Sequence, residues 1–172
     1  SSKGYYVKNN RLAATVLSLS ALGFGGIVTY EHFTEKAVVP IPGDRPTFGF
    51  GATVKEDGSP VKMADTITAP RAVRLAISHI GKDEAVLRQC IKAPMSQTEW
   101  DILVDFSYWF GPYGTCKTDV VKYINQERYA DSCSAYLRYR IAAKKDCSIP
   151  ENKCRGVWLR AQERNKKCME AL

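Results

Sequence analysis

Four residues in the first third of the chain, Glu31, Glu35, Asp44 and Thr47, carry the side chains best suited to chemistry. Carboxyl groups and a hydroxyl gathered where a helix meets a hairpin can give and take protons, the work of a general acid and a general base. Acidic residues in such a place are also commonly just solvated, so the cluster by itself decides little. Other chemistries find fewer residues. The chain has no GxxxxGK[ST] phosphate loop, no GxGxxG, no HExxH and no GxSxG. None of its six cysteines lies in a CxxC pair, and His32 and His79 alone offer no zinc-finger spacing. His79 falls in an apolar helical stretch and reads as structural. No cofactor and no metal is implied.

The elements that must position these residues are bounded by size and charge. A chain of 172 residues, 45% hydrophobic and 25% charged, is long enough for one core-bearing domain and short for two. Its 25 basic and 18 acidic residues leave a net charge of +7, which favours an anionic partner: nucleic acid, a membrane surface or a wall polymer. Nucleic acid is the weakest of these. The basic residues of the last third are interleaved with Asp119, Glu127, Asp131, Asp146, Glu151, Glu163 and Glu170 and form no clean stripe. Six scattered cysteines fit a disulfide framework, and so an oxidising compartment outside the cytosol; buried reduced thiols are the alternative. The full pairings possible for them number about fifteen.

Residues 12–30 read LAATVLSLSALGFGGIVTY, without a charge. The length suits a membrane span, and Lys3, Lys8 and Arg11 before it would leave the N-terminus in the cytoplasm. Thr15, Ser18, Ser20, Gly23, Gly25, Gly26 and Thr29 dilute its apolar content, so the expectation is a marginal span able to leave the bilayer. A cleavable signal peptide and a buried core helix are the alternatives, and the glycines argue against a well-formed helix in the second half. Residues 47–54 alternate as a strand does, Asp57-Gly58 marks a turn, and 61–63 can return as a short strand.

From there the period turns helical. Thr68 is a plausible N-cap ahead of Pro70, with Val73, Ile77, Ile80, Val86 and Leu87 as the expected buried stripe. Ser96-Gln-Thr-Glu99 is a capping box that opens a helix carrying Trp100, Leu103, Val104 and Phe106. Gly111-Pro112-Tyr113-Gly114 stops it. Further helices are expected near 118–124, 127–139 and 157–172. The pattern predicts an α+β fold, mostly helical, with a small β-hairpin lobe and a helical body. It divides the chain into a short basic tail (1–11), the weakly hydrophobic segment (12–30) and the folded body (31–172).

The order of these pieces resembles a known family. Glu31 at the end of a helix, a short loop, and Thr47-Phe-Gly-Phe-Gly51 look like the active-site entry of the phage-type lysozymes, glycoside hydrolase family 24. The stretch from Ala93 to Gly111, APMSQTEWDILVDFSYWFG, is similar to the family's P-L-T-Q helix. Residues 116–125, CKTDVVKYIN, are similar to its S-T-L-L-x-x-L-N segment, and Arg160-Ala-Gln-Glu-Arg164 to its closing R-x-x-E-R. The resemblance runs from about residue 28 to the end of the chain, and it departs from the pattern in two places. Fifteen residues separate Glu31 from Thr47, one more than in the family, and the expected Asp falls near Pro40 or Ile41; the nearest acid is Asp44. Trp109 stands where the family has Asn.

The resemblance implies a lysozyme-like fold and an endolysin, a muramidase that hydrolyses the β-1,4 bond between N-acetylmuramic acid and N-acetylglucosamine and lyses the host cell. Glu31 would be the acid, Asp44 the base and Thr47 the residue that holds the water, with the carboxyls roughly 6.5–9.5 Å apart for an inverting mechanism. Glu35 is the reserve acid. A lytic transglycosylase using Glu31 alone and a catalytically inactive wall-binding module are the alternatives. The resemblance also pairs Cys90 with Cys116 and Cys133 with Cys168, which leaves Cys147 and Cys154 to close a loop. Residues 12–30 resemble the signal-arrest-release segment of some of these enzymes. The implied partners are peptidoglycan glycan strands and, before release, the bacterial inner membrane. A monomer in the host periplasm is implied.

Overall fold

The computed structural model describes residues 10–172, so Lys3 and Lys8 of the basic tail lie outside the described residues. The chain opens along the surface of the helical body. Leu12 pairs with Met95 through two 2.8 Å backbone hydrogen bonds, Ala14–Val16 makes a 3-10 turn, and helix α1 covers Ala21–Glu31. α1 forms despite its glycines. The Ser20 side chain caps it by accepting from the Gly23 amide, and Ser20 is itself held by Asp101 through its own amide at 2.9 Å and its hydroxyl. Gly23 is needed at this contact: a Cβ there would stand 2.8 Å from Asp101 Cγ and 2.7 Å from Leu19 Cδ1. The Ser20 cap and its bonds to Asp101 offset the helix-propensity cost of the glycines. Among the described residues no helix is long and apolar enough to cross a membrane.

At His32 the chain takes a positive φ of 54° and leaves α1 for strand β1, Thr34–Val38. β1 pairs antiparallel with β2, Thr47–Gly49, from Thr34↔Gly49 to Val38↔Thr47. The expected strand over 47–54 is thus only three residues long, and its main partner precedes it. Val54 and Pro60 make an isolated bridge across the expected turn, where Gly58 has φ 82°. β1 escaped sequence reading because Ala37 alone of its five residues is buried, which leaves no apolar alternation.

α2, Ala69–Cys90, joins the two lobes, with Thr68 as N-cap and Pro70 in the first turn. Its buried face is Ala72, Leu75, Ala76, Ile80, Glu84 and Leu87, whereas Ile77 of the expected stripe is exposed and Val73 and Val86 are only partly covered. Ala72 and Leu75 pack with Phe48, Val61 and Ile67 in the hairpin lobe; Ile80 and Leu87 belong to the body core around Trp100, Leu103, Val104 and Phe106. Buried Glu84 is satisfied by Trp100 Nε1 and the Leu19 amide, each at 2.8 Å. One helix serving two separate cores leaves a cleft between them.

The rest of the body is helical. α3 (Gln97–Phe110) starts at Ser96 with both halves of the capping box formed. α4 (Pro112–Thr115), α5 (Asp119–Asn125), α6 (Tyr129–Ala135) and α7 (Arg155–Glu170) follow, with a two-residue hairpin of β3 (Ile141–Ala142) and β4 (Lys145–Asp146) before α7. The expected 127–139 helix gives way to a 3-10 turn at Tyr136–Arg138. Three disulfides link Cys90–Cys116, Cys133–Cys168 and Cys147–Cys154, the pairing expected. Sequence separations of 26, 35 and 7 residues rank their loop-closure contributions: about 3–4 kcal/mol for the first two and about 2 for the last. The architecture is mostly helical with small antiparallel sheets, as expected.

Candidate active site

Glu31 is the last residue of α1 and faces a cleft of about 840 Å³ between the hairpin lobe and the body. Behind it Asp105, from α3, accepts a hydrogen bond from Arg160 Nη2 and another from Arg164 Nε at 2.6 Å, both arginines on α7. Tyr30 fixes the end of α1 to the start of α7: its hydroxyl donates to the Gly156 carbonyl at 2.5 Å, and the Arg160 guanidinium lies 4.2 Å from its ring centre. These contacts decide the charge on Glu31. Burial and, after it, Asp105 raise its pKa, Arg164 and Arg160 lower it, and the net rise is from 4.5 to about 7. Burial wins because both guanidiniums are already engaged with Asp105, so much of their field is spent before it reaches Glu31.

Gly51 closes over the same carboxyl. It has φ 74°, and a Cβ on it would stand 2.7 Å from Glu31 Oε2. Only glycine suits both the backbone and the space. Thr47 begins β2 half-buried and lines the cleft with Glu31. Asp44 lines it too, from the exposed loop between β1 and β2, where one carboxyl oxygen accepts the Arg45 amide at 2.8 Å. Glu35 is exposed on β1 and is not among the residues that line the cleft, so the structure does not bring the reserve acid to the site.

The phage lysozyme family model matches residues 29–160, which contain this whole arrangement apart from the last turns of α7. The chain belongs to the phage lysozyme family. An endolysin of Salmonella phage P22 is 27% identical over 109 residues, 63% of this chain and 75% of that protein. Two solved structures share the fold. An endolysin from the Escherichia coli O157:H7 phage FAHEc1 superposes with TM-score 0.75 at 24% identity over 91% of this chain and 96% of that one. A point mutant of P22 lysozyme gives 0.69 at 22% identity over 90% and 99%. The family makes this a lysozyme-type enzyme that acts on peptidoglycan.

In this phage lysozyme, then, Glu31, Asp44 and Thr47 come together on one cleft and Glu35 does not join them. Sequence reading missed the residues that set the behaviour of Glu31. Asp105 meets Arg160 and Arg164 across 55 and 59 positions. Arg160 and Arg164, one helical turn apart, belong to the closing R-x-x-E-R motif, but nothing in their spacing announces an acidic partner on α3. Trp109, the departure from the family pattern, lines the cleft; its ring packs against Phe106 at 6.1 Å and beneath the Arg164 guanidinium at 5.5 Å. An indole there offers a sugar a flat apolar surface in place of an amide. The aromatic run Tyr108-Trp109-Phe110 was its available signal.

Proposed function

We propose that this chain is a phage endolysin, a muramidase that hydrolyses the β-1,4 bond between N-acetylmuramic acid and N-acetylglucosamine, with Glu31 as general acid. The observation that carries the reading is a carboxyl held to about 7 by burial in a cleft that Asp44 and Thr47 also line. A neutral acid near physiological pH can give its proton to the leaving glycosidic oxygen. Asp44 takes a proton from the attacking water and Thr47 holds that water. As Glu31 loses its proton it becomes a carboxylate, the form that Arg160 and Arg164 favour, so the pair supports the charge that develops.

One observation favours a second reading. Asp44 is exposed and held by a local backbone contact, so a lytic transglycosylase, in which the sugar's own hydroxyl attacks, can proceed on Glu31 alone. Incubating the purified chain with peptidoglycan and analysing the fragment ends separates the two. Reducing ends support the hydrolase, anhydro ends the transglycosylase, and no soluble fragments a binding module.

The enzyme works as a monomer in the host periplasm, tethered beforehand to the inner membrane through residues 12–30 and then released, with 31–172 as the catalytic domain. The polar contacts of the segment support a docked, released state. Besides Glu84 and Asp101, Arg88 donates to the Leu17 carbonyl and Gln97 to the Ser18 carbonyl, each at 2.7 Å. Arg11 forms a two-pronged pair with Glu99. α1 ends in Glu31, so the acid reaches the cleft only when this segment packs on the body.

A further inference from the structure

The cleft holds a second desolvated carboxyl that the chemistry above does not use. Asp83, on α2, lines the same cavity as Glu31. The hydrogen bond it receives from the protein comes from Ser107 Oγ on α3 at 3.4 Å, long for a contact between oxygens. Among the described residues no lysine or arginine makes an ion pair with it. Burial, helped by neighbouring Glu84, raises its pKa to about 7, as it does for Glu31. The two acids answer to different surroundings: Glu31 to Asp105, Arg164 and Arg160, Asp83 to Ser107 and Glu84.

Tyr108 lies between these centres in the electrostatic sense. Its hydroxyl donates to the Phe50 carbonyl at 2.6 Å, and burial, with Glu31 and Asp83 adding to it, pushes its ionisation upward. A carboxyl withdrawn from water with one weak partner costs stability, and its long contact with Ser107 across α2 and α3 offsets little of that cost. Its open side is the cleft, where Ser107 and Tyr108 are its polar neighbours. The carboxyl oxygens that Asp83 turns to the cleft can accept from the hydroxyl and amide N–H groups of an N-acetylated sugar.

We propose that Asp83 is a substrate-binding residue that holds a hydroxyl or N-acetyl group of a hexosamine unit away from the bond being broken. This rests on the glycan reading given above. It assigns Asp83 to affinity and leaves bond cleavage to Glu31.

The test uses the whole chain with Asp83→Ala and Asp83→Asn, assayed on purified peptidoglycan over a range of concentrations. The Ala variant is expected to raise KM about tenfold, the scale of one lost hydrogen bond, with kcat within about threefold of wild type. The Asn variant, which keeps a donor and an acceptor, recovers most of the affinity. On a Glu31→Gln background, where turnover is slowed by about 10² or more, Asp83→Ala weakens retention on insoluble peptidoglycan by a similar factor to the KM change. An unchanged KM, or a loss confined to kcat, overturns the proposal. So does a loss of activity that follows a lowered melting midpoint equally in both variants. A wild-type chain that releases no fragments defeats the glycan reading itself, so the two failures are distinguishable.

Discussion

On one side of the cleft Glu31 ends a helix that is tied to the body from Ser20 to Tyr30, with the Asp105–Arg160–Arg164 cluster behind it and Gly51 over its carboxyl. On the other side Asp44 sits in an exposed loop and accepts the amide of its own neighbour, Arg45. The first carboxyl is set by residues from four separate parts of the chain, the second by the residue next to it. That difference teaches where the precision of this enzyme is kept. In the proposed mechanism the proton donor, Glu31, is fixed in a desolvated position, and the candidate base, Asp44, is carried by an exposed loop.

The largest effect should come from the acid. Replacing Glu31 by Gln keeps the shape and removes the proton, and peptidoglycan lysis should fall by about 10² or more. Near wild-type clearing by that variant would remove Glu31 from the chemistry. Asp44→Asn should cost less, about tenfold, because a loop carboxylate is less tightly placed. Full activity in that variant would turn the comparison toward the transglycosylase reading, in which the loop acid has no part.

The cluster behind Glu31 can be used to tune it. Asp105→Asn frees the fields of Arg160 and Arg164, which favour ionised Glu31, so the alkaline limb of the pH–rate profile should move to lower pH. Activity at about pH 7.5 should drop by about threefold to tenfold beyond any loss of folded protein. An unmoved limb would show that burial alone sets the acid.

Stability should register the same strain with opposite sign. Glu31 has its pKa raised on folding from 4.5 to about 7, so its contribution is fully present below 4.5 and is lost as pH rises through 7. At about pH 8 the Glu31→Gln protein should therefore be more stable than wild type, by roughly 2–3 kcal/mol, and the gap should close toward about pH 4. Equal melting midpoints at both pH values would contradict a desolvated acid.

The smallest expected change in the folded enzyme concerns α1 itself. A Cβ at Gly25 or Gly26 meets nothing within 4 Å, whereas one at Gly23 meets Asp101. Replacing Gly25 and Gly26 by Leu should therefore leave the docked state intact while strengthening a membrane span, by about 0.3–0.6 kcal/mol for each leucine plus the relief of each glycine. More of the double variant should stay in the membrane fraction, with lysis delayed. Release as complete as wild type would argue against tethering through this segment.

How much of this could be read beforehand follows the same division. α3 was legible because its start is local: Ser96 and Glu99 cap each other within one turn. Glu31 and Thr47 were legible through the family pattern around them. The helical second half of α1 is not legible from its glycines, because the Asp101 contacts that hold Ser20 and crowd Gly23 come from α3. The stripe of α2 was misplaced because Ala72, Ala76 and Glu84 take buried positions while Ile77 faces out. Asp105, Arg160 and Arg164 form a unit only after α3 and α7 pack, and no short-range spacing records such a pairing.

The charge state of Glu31 is the centre of the account, and it can be observed without substrate. Carbon-13 NMR of the glutamate side-chain carboxyls, with Glu31 assigned by comparison with the Glu31→Gln protein, follows its titration directly. A midpoint of about 7, raised chiefly by burial, is expected. A midpoint in the ordinary range near 4.5 would mean an ionised Glu31 at working pH, and would contradict its role as the acid.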